Sequence, residues 1–207
     1  VSPITTHDIK TCQLLDAIAF RYPREADSSV YTLLLLMLEA QENSIRQQNQ
    51  DISFTMEERL NISLYKGGVS VLIDCFFVKK EMTEEDLFFY LAFGYFLQLA
   101  DDLQDIGEDS RGGNKTIFTF DTSWEQVEKI VNKLLHFTHS IIESYHSDNL
   151  EFKKFVLMNC YYLIYSSTIG SKEFFSESYI EKISNLLPVS IEFIEHFKQN
   201  NIETLDC

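Results

Sequence analysis

The sequence predicts an all-α fold, and three observations support that prediction. Apolar residues recur at intervals of three and four along almost the whole chain, as they do on the buried face of a helix. No stretch alternates apolar and polar residues as a half-buried strand does. Only seven glycines and three prolines interrupt the 207 residues. We therefore expect a single helical domain over residues 1–207, with 45% apolar residues to fill its core.

The pattern and its interruptions place eight helices along the chain. Three of the starts carry a threonine followed by an acidic residue three positions later, which is typical of a capping box. These pairs are Thr55 with Glu58, Thr83 with Asp86, and Thr122 with Glu125. The predicted helices cover residues 6–20, 28–49, 55–78, 83–107, 122–146, 149–169, 172–186 and 188–200. Between them, residues 108–120 form the one loop long enough to act as a lid.

The fourth predicted helix carries the strongest functional signal. Residues 87–97 are almost continuously apolar, so this helix is expected to be apolar on all sides and to lie in the core. It ends in Gln98-Leu99-Ala100-Asp101-Asp102-Leu103-Gln104-Asp105. Carboxylates at the C-terminal end of a helix meet the negative pole of its dipole, and a divalent cation relieves that placement. Because hard cations prefer oxygen ligands, Asp101, Asp102 and Asp105 are predicted to bind Mg²⁺.

Other motifs are excluded by spacing. An EF-hand loop needs oxygen ligands at its third and fifth positions, and neither Asp101 nor Asp102 opens such a loop. The segment 113–116 lacks the glycine before lysine, and the preceding strand, of a P-loop. His136 and His139 have no carboxylate partner in the pattern, so we interpret them as surface or packing residues.

The segment 98–105 resembles the second aspartate-rich motif of the trans-isoprenyl diphosphate synthases, the polyprenyl synthase family of class I isoprenoid synthases, whose usual form is F-Q-x-x-D-D-x-x-D. Residues 113–119 (Gly-Asn-Lys-Thr-Ile-Phe-Thr) are similar to the G-K-x-T segment that follows this motif in the family. Tyr65-Lys66-Gly67-Gly68 stands where the family commonly has Lys-Thr, with glycine in place of threonine. Leu38-Glu39-Ala40-Gln41 resembles the family's G-Q helix, with alanine for glycine. The resemblance therefore covers roughly residues 38–120.

This resemblance implies an isoprenoid-synthase-type helical bundle, present in part, whose complete enzyme condenses an allylic diphosphate with isopentenyl diphosphate. The residues that it implies for Mg²⁺ binding are Asp101, Asp102 and Asp105, and those for substrate binding are Lys66, Gln98, Arg111 and Lys115. The residues that it implies for catalysis are Asp101, Asp102 and Lys66. We expect the loop that carries Arg111 and Lys115 to become ordered when diphosphate and Mg²⁺ bind. Candidates for lining a prenyl-chain tunnel, although such residues more often form plain core, are Phe88, Phe89, Phe93, Phe96, Tyr161, Tyr162 and Tyr165.

The family's first aspartate-rich motif has no counterpart in this sequence. The chain contains one Asp-Asp pair, and too few residues precede Gln98 for the first motif to lie at its usual separation. We therefore expect these residues, which begin at Val1, to be the C-terminal part of a longer isoprenoid synthase and to be inactive by themselves. They are expected to form a homo-oligomer or to pair with an N-terminal portion or a second subunit.

Three alternative functions stay open. A terpene cyclase or a head-to-head squalene or phytoene synthase shares the fold, but the head-to-head enzymes usually carry Asn or Arg before the second motif's aspartates, where this chain has Ala100. A non-catalytic subunit or degenerate homologue is the second alternative, and a helical adaptor without a ligand is the third. An upstream D-D-x-x-D motif followed by arginines would distinguish the enzyme from the other two.

Charge and cysteine content restrict the partners and the compartment. A net charge of −15 argues against nucleic acid and makes a diphosphate compatible only if metal ions mediate the contact. The apolar runs are shorter than the roughly 20 residues that span a bilayer, so neither a membrane span nor a secretory signal is expected. The four cysteines, Cys12, Cys75, Cys160 and Cys207, form no C-x-x-C pair, which favours a reducing cytoplasm.

Overall fold

The computed structural model describes residues 6–25, 28–79, 81–187 and 190, and this part of the chain contains eight α-helices, two 3₁₀ turns and no strand. The α-helices are α1 (Thr6–Arg21), α2 (Ser28–Ile45), α3 (Met56–Lys79), α4 (Glu84–Gln104), α5 (Ile106–Gly112), α6 (Trp124–Ser144), α7 (Leu150–Gly170) and α8 (Glu177–Ser184). The 3₁₀ turns are Arg46–Gln48 and Lys172–Phe174. The all-α prediction is confirmed for these residues. Apart from Ser190, the helix predicted over 188–200 lies outside them.

The helices pack around α3 and α4. Helix α3 lies between α2 and α4, while α4 also packs against α6 and α7, and α8 covers part of α7. The centre of the core is formed by fully buried side chains of α4, α5, α6, α7 and the chain before α6: Phe96, Leu103, Ile106, Phe118, Val127, Val131 and Ile164. Helix α1 is the outlier, because its side chains from Ile9 to Arg21 are exposed except for half-buried Ile18.

Two of the three predicted capping boxes form. The N–H of Thr55 donates to Glu58 Oε2 at 2.7 Å, and the N–H of Glu58 donates to Thr55 Oγ1 at 3.2 Å. Thr83 and Asp86 make the same reciprocal pair at the start of α4. The start predicted at Thr122 was wrong, because Asp121 Oδ1 accepts the Ser123 N–H at 2.9 Å and forms the preceding turn instead. Helix α6 therefore begins at Trp124.

The predicted helix over 83–107 is two helices. Asp105, at φ −95° and ψ 6°, separates α4 from α5. Residues 108–112 of the predicted lid loop are consequently helical, so the loop prediction was wrong for its first five residues. The chain leaves α5 through Gly113, whose φ of 71° lies in the left-handed region that favours glycine.

Helix α4 is not buried on all sides, contrary to the sequence prediction. Phe96 and Leu103 are fully buried against α6 and α7, whereas the side chain of Phe88 is 77% exposed and Leu97 is 36% exposed. These two side chains point outward from α4, although their neighbours Phe96 and Leu99 are buried. The apolar run thus includes solvent-facing positions as well as core positions.

Length and composition alone would allow α3 to cross a membrane, and it is the one helix in the described part of the chain that meets that test. A core helix of a bundle meets the same test, and α3 packs between α2 and α4. The expectation of no membrane span, and the cytoplasmic location with it, stays a prediction.

Candidate functional site

The predicted site lies beside the point where α3 and α4 cross. The two backbones touch through glycine, since a Cβ atom added to Gly67 would overlap the carbonyl oxygen of Gly94 and lie 2.7 Å from Gln98 Cβ. A Cβ atom added to Gly94 would likewise overlap the carbonyl oxygen of Gly67. Glycine in the interior of both helices is therefore explained by close approach of the backbones. The crossing brings Ser63 and Lys66 of α3 to the polar end of α4.

Asp102 is the buried centre of this site. Its Oδ1 accepts a hydrogen bond from Gln98 Nε2 at 2.8 Å, and its Oδ2 accepts one from Ser63 Oγ at 2.9 Å. Burial raises the pKa of Asp102 to about 6, although the two hydrogen bonds and the positive charge of Lys66 act in the opposite direction. Both carboxylate oxygens are thus engaged by donors of the protein itself.

Three further carboxylates, four residues apart, form an acidic stripe that runs from α4 into α5: Asp101, Asp105 and Asp109. Asp101 is exposed, and Gln98 Nε2 reaches its Oδ2 at 3.3 Å. Burial raises the pKa of Asp105, and the negative charges of Asp101 and Asp109 raise it further. Burial also raises the pKa of Asp109, while a hydrogen bond from Asn114 partly offsets that rise. The carboxylates of the stripe therefore repel one another, which makes the charged forms of Asp105 and Asp109 less stable.

Lys66 is the cation that faces these carboxylates. Its positive charge lowers the pKa of Asp102, Asp105 and Asp109, which places its ammonium group within electrostatic reach of all three. The single positive charge of Lys66 does not neutralise the negative charges of the stripe and of Asp102. The local charge consequently stays negative, as expected where a divalent cation is to be attracted.

Among the described residues, the side chains of the predicted Mg²⁺ site do not form a complete set of metal ligands. Within residues 6–25, 28–79 and 81–187, no three His, Cys, Asp or Glu side chains gather in a group that could hold a metal ion by themselves. The donor set still fits a hard cation that shares its ligands with a substrate, because Asp101 and Asp105 present carboxylate oxygens and repel each other. Asp101 and Asp105 would hold such an ion, with Asp102 engaged behind them by Ser63 and Gln98.

The structure directs the ammonium of Lys115 to backbone carbonyls away from the stripe, and it shows Arg111 as an exposed side chain of α5. Lys115 Nζ donates to the carbonyl oxygens of Asn49 at 2.5 Å and Ile52 at 2.7 Å. Arg111 is exposed on α5, where its Nη1 lies 3.5 Å from the position that a Cβ atom would take on Gly107. Lys115 would have to leave these two carbonyl oxygens to bind a diphosphate at Asp101. Lys66 is the predicted basic residue that the structure places at the site.

The segment that contains Lys115 is anchored to the connection between α2 and α3. Gln47 Nε2 donates to the Lys115 carbonyl at 2.8 Å, and the Lys115 N–H donates to the Gln47 carbonyl at 3.1 Å. Gln50 Nε2 donates to the Gly113 carbonyl at 3.0 Å. Arg59 Nη1 donates to the Thr116 carbonyl at 2.7 Å. Ordering of this segment by a ligand stays a prediction.

Two residues of the site were missed by sequence reasoning. Asp109 continues the four-residue spacing of Asp101 and Asp105, a signal that was present in the sequence but lay beyond the predicted helix end at residue 107. Ser63 carries no signal in the sequence. Its contact with Asp102 exists only because the glycine crossing brings α3 against α4.

A cavity of about 460 Å³ lies between α3, α4 and the turn that joins α6 to α7. Its walls are mainly aromatic and aliphatic, and the lining residues include Val71, Cys75, Phe89, Phe93, Phe152 and Val156. Tyr90, whose pKa is raised first by a hydrogen bond with Cys75, adds a polar group to the wall. Phe93 precedes Asp101 by eight residues, so the wall of the cavity lies about 12 Å from the stripe along α4.

The aromatic residues predicted as tunnel candidates lie in different surroundings. Phe89 and Phe93 line the cavity, Phe96 is fully buried in the core, and Phe88 is exposed. The tyrosines Tyr161, Tyr162 and Tyr165 line a separate recess of about 370 Å³ beside α7. Only two of the seven therefore face the cavity near the stripe.

The two histidines of α6 are hydrogen-bonded at the surface. His136 Nδ1 lies 3.1 Å from Ser140 Oγ, and His139 Nδ1 lies 3.1 Å from Tyr161 Oη. Both side chains are exposed. This agrees with the interpretation that they are surface or packing residues.

No protein-family model, curated protein or solved structure matches this chain. What the protein does must therefore be argued from the side chains at the α3–α4 crossing and from the cavity beside them.

Proposed function

We propose that this chain carries one half of a Mg²⁺-dependent prenyl diphosphate site, and that the complete protein transfers a prenyl group from an allylic diphosphate to isopentenyl diphosphate on an isoprenoid-synthase-type bundle. The supporting observation is the continuity of one row of α4. Residues four apart on a helix form a ridge, and the ridge of α4 runs from Phe93 through Leu97 to Asp101. An apolar cavity and an acidic polar end thus lie on the same row, about 12 Å apart.

The proposed reaction needs both environments. The C–O bond of the allylic diphosphate breaks, and its electron pair leaves on pyrophosphate. The double bond of isopentenyl diphosphate then attacks the allylic cation, and a proton is lost. Mg²⁺, when bound, would supply positive charge to the departing pyrophosphate. In this proposal the ammonium of Lys66, whose charge lowers the pKa of Asp105, binds a diphosphate oxygen beside Asp101 and Asp105.

The buried part of the site has a positioning role in this proposal. Gln98 contacts both Asp101 and Asp102, and Ser63 fixes the second oxygen of Asp102. These bonds hold the end of α4 against α3 and so fix where Asp101 points. The apolar wall around Phe93 would take up the hydrocarbon chain and keep water from the cation.

A non-catalytic homologue is the second candidate, and two observations favour it. Both oxygens of Asp102 are engaged inside the protein. The ammonium of Lys115, which the family resemblance assigned to the substrate, is engaged by two backbone carbonyls. In this candidate the fold is kept, but the chain binds diphosphate without dependence on Mg²⁺, or does not bind it.

Calorimetric titration of the 207-residue chain with sodium pyrophosphate, with and without Mg²⁺, separates the two candidates. We expect binding that requires Mg²⁺ and that weakens about tenfold or more in Asp101→Asn, because one metal ligand is lost. Asp16→Asn, which removes an exposed carboxylate from α1, is the matched control and should bind as the wild type does. Circular dichroism verifies that both variants keep their helices. Pyrophosphate binding that ignores Mg²⁺ or the Asp101 change would refute the enzyme proposal.

Thiol labelling tests the assignment of the cavity to the hydrocarbon chain. In a variant with Cys12→Ser and Cys207→Ser, the remaining cysteines are Cys75, which lines the cavity, and buried Cys160. Geranyl diphosphate with Mg²⁺ should slow the reaction of Cys75 with N-ethylmaleimide severalfold. Pyrophosphate with Mg²⁺ should leave that rate unchanged, because it has no chain to enter the cavity. Equal rates with both compounds would remove the cavity from the proposal.

A further inference from the structure

Arg59 is a buried cation that has no carboxylate partner among the residues that the structure describes. Its side chain lies in α3 with 8% of the residue exposed, and none of the ion pairs among the described residues includes it. Its Nε is buried without a hydrogen-bond partner, and burial lowers the pKa of its guanidinium. A buried charge of this kind is costly unless it serves a specific arrangement.

The guanidinium of Arg59 contacts the segment of chain between α5 and α6. Arg59 Nη1 donates to the Thr116 carbonyl at 2.7 Å and to Thr119 Oγ1 at 3.2 Å. The guanidinium carbon also lies 5.0 Å from the centre of the Phe120 ring. Arg59 therefore contacts three residues of this segment at once.

A continuous chain of hydrogen bonds leads from Arg59 to the acidic stripe. Thr119 Oγ1 donates to the Asn114 carbonyl at 2.7 Å. Asn114 in turn donates twice to Asp109, from Nδ2 to Oδ1 at 2.8 Å and from its backbone N–H to the backbone carbonyl at 2.9 Å. The charge on Arg59 strengthens its bond to Thr119, and Asn114 carries the positional restraint on to Asp109, because its carbonyl is held by Thr119 while its side-chain amide and N–H hold Asp109.

We propose that Arg59 is a positioning residue that holds the carboxylate of Asp109 in the acidic stripe through Thr119 and Asn114. The inference rests on the proposed function in so far as the stripe binds Mg²⁺ and diphosphate. Asp109 is the member of the stripe that lies on α5, beyond the break at Asp105, so the geometry of α4 does not fix it. The Arg59 chain supplies the missing restraint from α3.

The proposal predicts a specific pattern of pyrophosphate affinities in the presence of Mg²⁺. Arg59→Met and Asp109→Asn should each weaken binding about fivefold, the effect of one lost hydrogen bond of ordinary strength. The double variant should bind no more weakly than Asp109→Asn alone, because Arg59 acts through that carboxylate. Arg59→Lys keeps a charged donor and should restore most of the affinity. Arg24→Met is the matched control, since the guanidinium carbon of Arg24 also lies 5.0 Å from the centre of an aromatic ring, that of Tyr31, near the N-terminal end of α2.

A readout without pyrophosphate distinguishes failure of this inference from failure of the proposed function. The side-chain amide resonance of Asn114 reports its bond to Asp109 and should shift in Arg59→Met and in Thr119→Val, but not in Arg24→Met. If the wild type binds no pyrophosphate while this resonance still responds, the proposed function fails and the Arg59 chain stands. If Arg59→Met is folded and leaves the Asn114 resonance unchanged, or if its effect on affinity adds fully to that of Asp109→Asn, the positioning role is refuted.

Discussion

Replacing Gly67 by alanine tests the central feature of the structure, the backbone contact between α3 and α4. Alanine is favoured over glycine in a helix interior by about 1 kcal/mol, so an open position would gain stability. At Gly67, however, the added methyl group would overlap the Gly94 carbonyl oxygen and lie 2.7 Å from Gln98 Cβ. Overpacking usually costs about 1 to 3 kcal/mol, and a backbone obstacle places this case at the upper end.

The expected net loss for Gly67→Ala is therefore about 2 kcal/mol, which corresponds to a fall in Tm of about 4 to 8 °C for a chain of this size. Thermal unfolding followed by circular dichroism measures it. Gly112→Ala is the matched control, because a Cβ atom there meets nothing within 4 Å and the change should be neutral or slightly stabilising. A Gly67→Ala protein as stable as the wild type, or more stable, would show that the two helices do not touch as described.

Two further predictions concern titrating groups and the stability of the fold. Because burial raises the pKa of Asp102 from 3.8 to about 6, the stability contributed by this carboxyl is complete below pH 3.8 and is lost as the pH rises through 6. The free energy of unfolding of Asp102→Asn, relative to that of the wild type, should therefore rise by up to about 3 kcal/mol when urea titrations at pH 4 and pH 7.5 are compared. A difference between the two proteins that does not vary with pH would contradict the burial of this group. Asp86 has the opposite sign: Lys79 Nζ at 2.5 Å lowers its pKa, with help from Thr83 and Tyr145, so its contribution is present above pH 3.8 and is lost as the pH falls further. Asp86→Asn should cost about 2 kcal/mol at pH 7 and progressively less in acid, and an equal cost at pH 7 and pH 2 would count against the ion pair.

Much of the fold was predictable because its signals are local. The capping boxes at Thr55 and Thr83 specify helix starts through contacts three residues apart, and both form. The break at Asp105 was not predictable from the same rules, since neither glycine nor proline marks it. Gly113 marks the end of α5, but the helical pattern alone does not show that α5 is a separate helix. Breaks of this kind depend on how the following chain packs.

The residues of the candidate site likewise differ in whether local sequence signals or tertiary contacts determine them. Three of the acidic residues (Asp101, Asp102 and Asp105) were predicted, together with Gln98 and Lys66, from spacing and from a family resemblance. In the structure Gln98 contacts Asp101 and Asp102, and Lys66 acts electrostatically on Asp102. Ser63 was not predictable, because its contact with Asp102 spans 39 residues of sequence and depends on the crossing of two helices. Lys115 was predicted from a motif alone, and tertiary contacts with Asn49 and Ile52 direct its ammonium elsewhere.

The glycine contact also gives the two helices a fulcrum. Gly67 is the twelfth residue of the 24 in α3, and Gly94 is the eleventh of the 21 in α4, so each helix extends about 15 to 18 Å to either side of the contact. Two rods that touch near their midpoints behave like the blades of scissors. A small change in their angle that widens the gap at Val71 and Phe89, on one side of the fulcrum, alters the separation of Ser63 and Asp102 on the other side. Filling the cavity and separating Ser63 from Asp102 are thereby mechanically linked, because a wider crossing angle opens both sides of the contact.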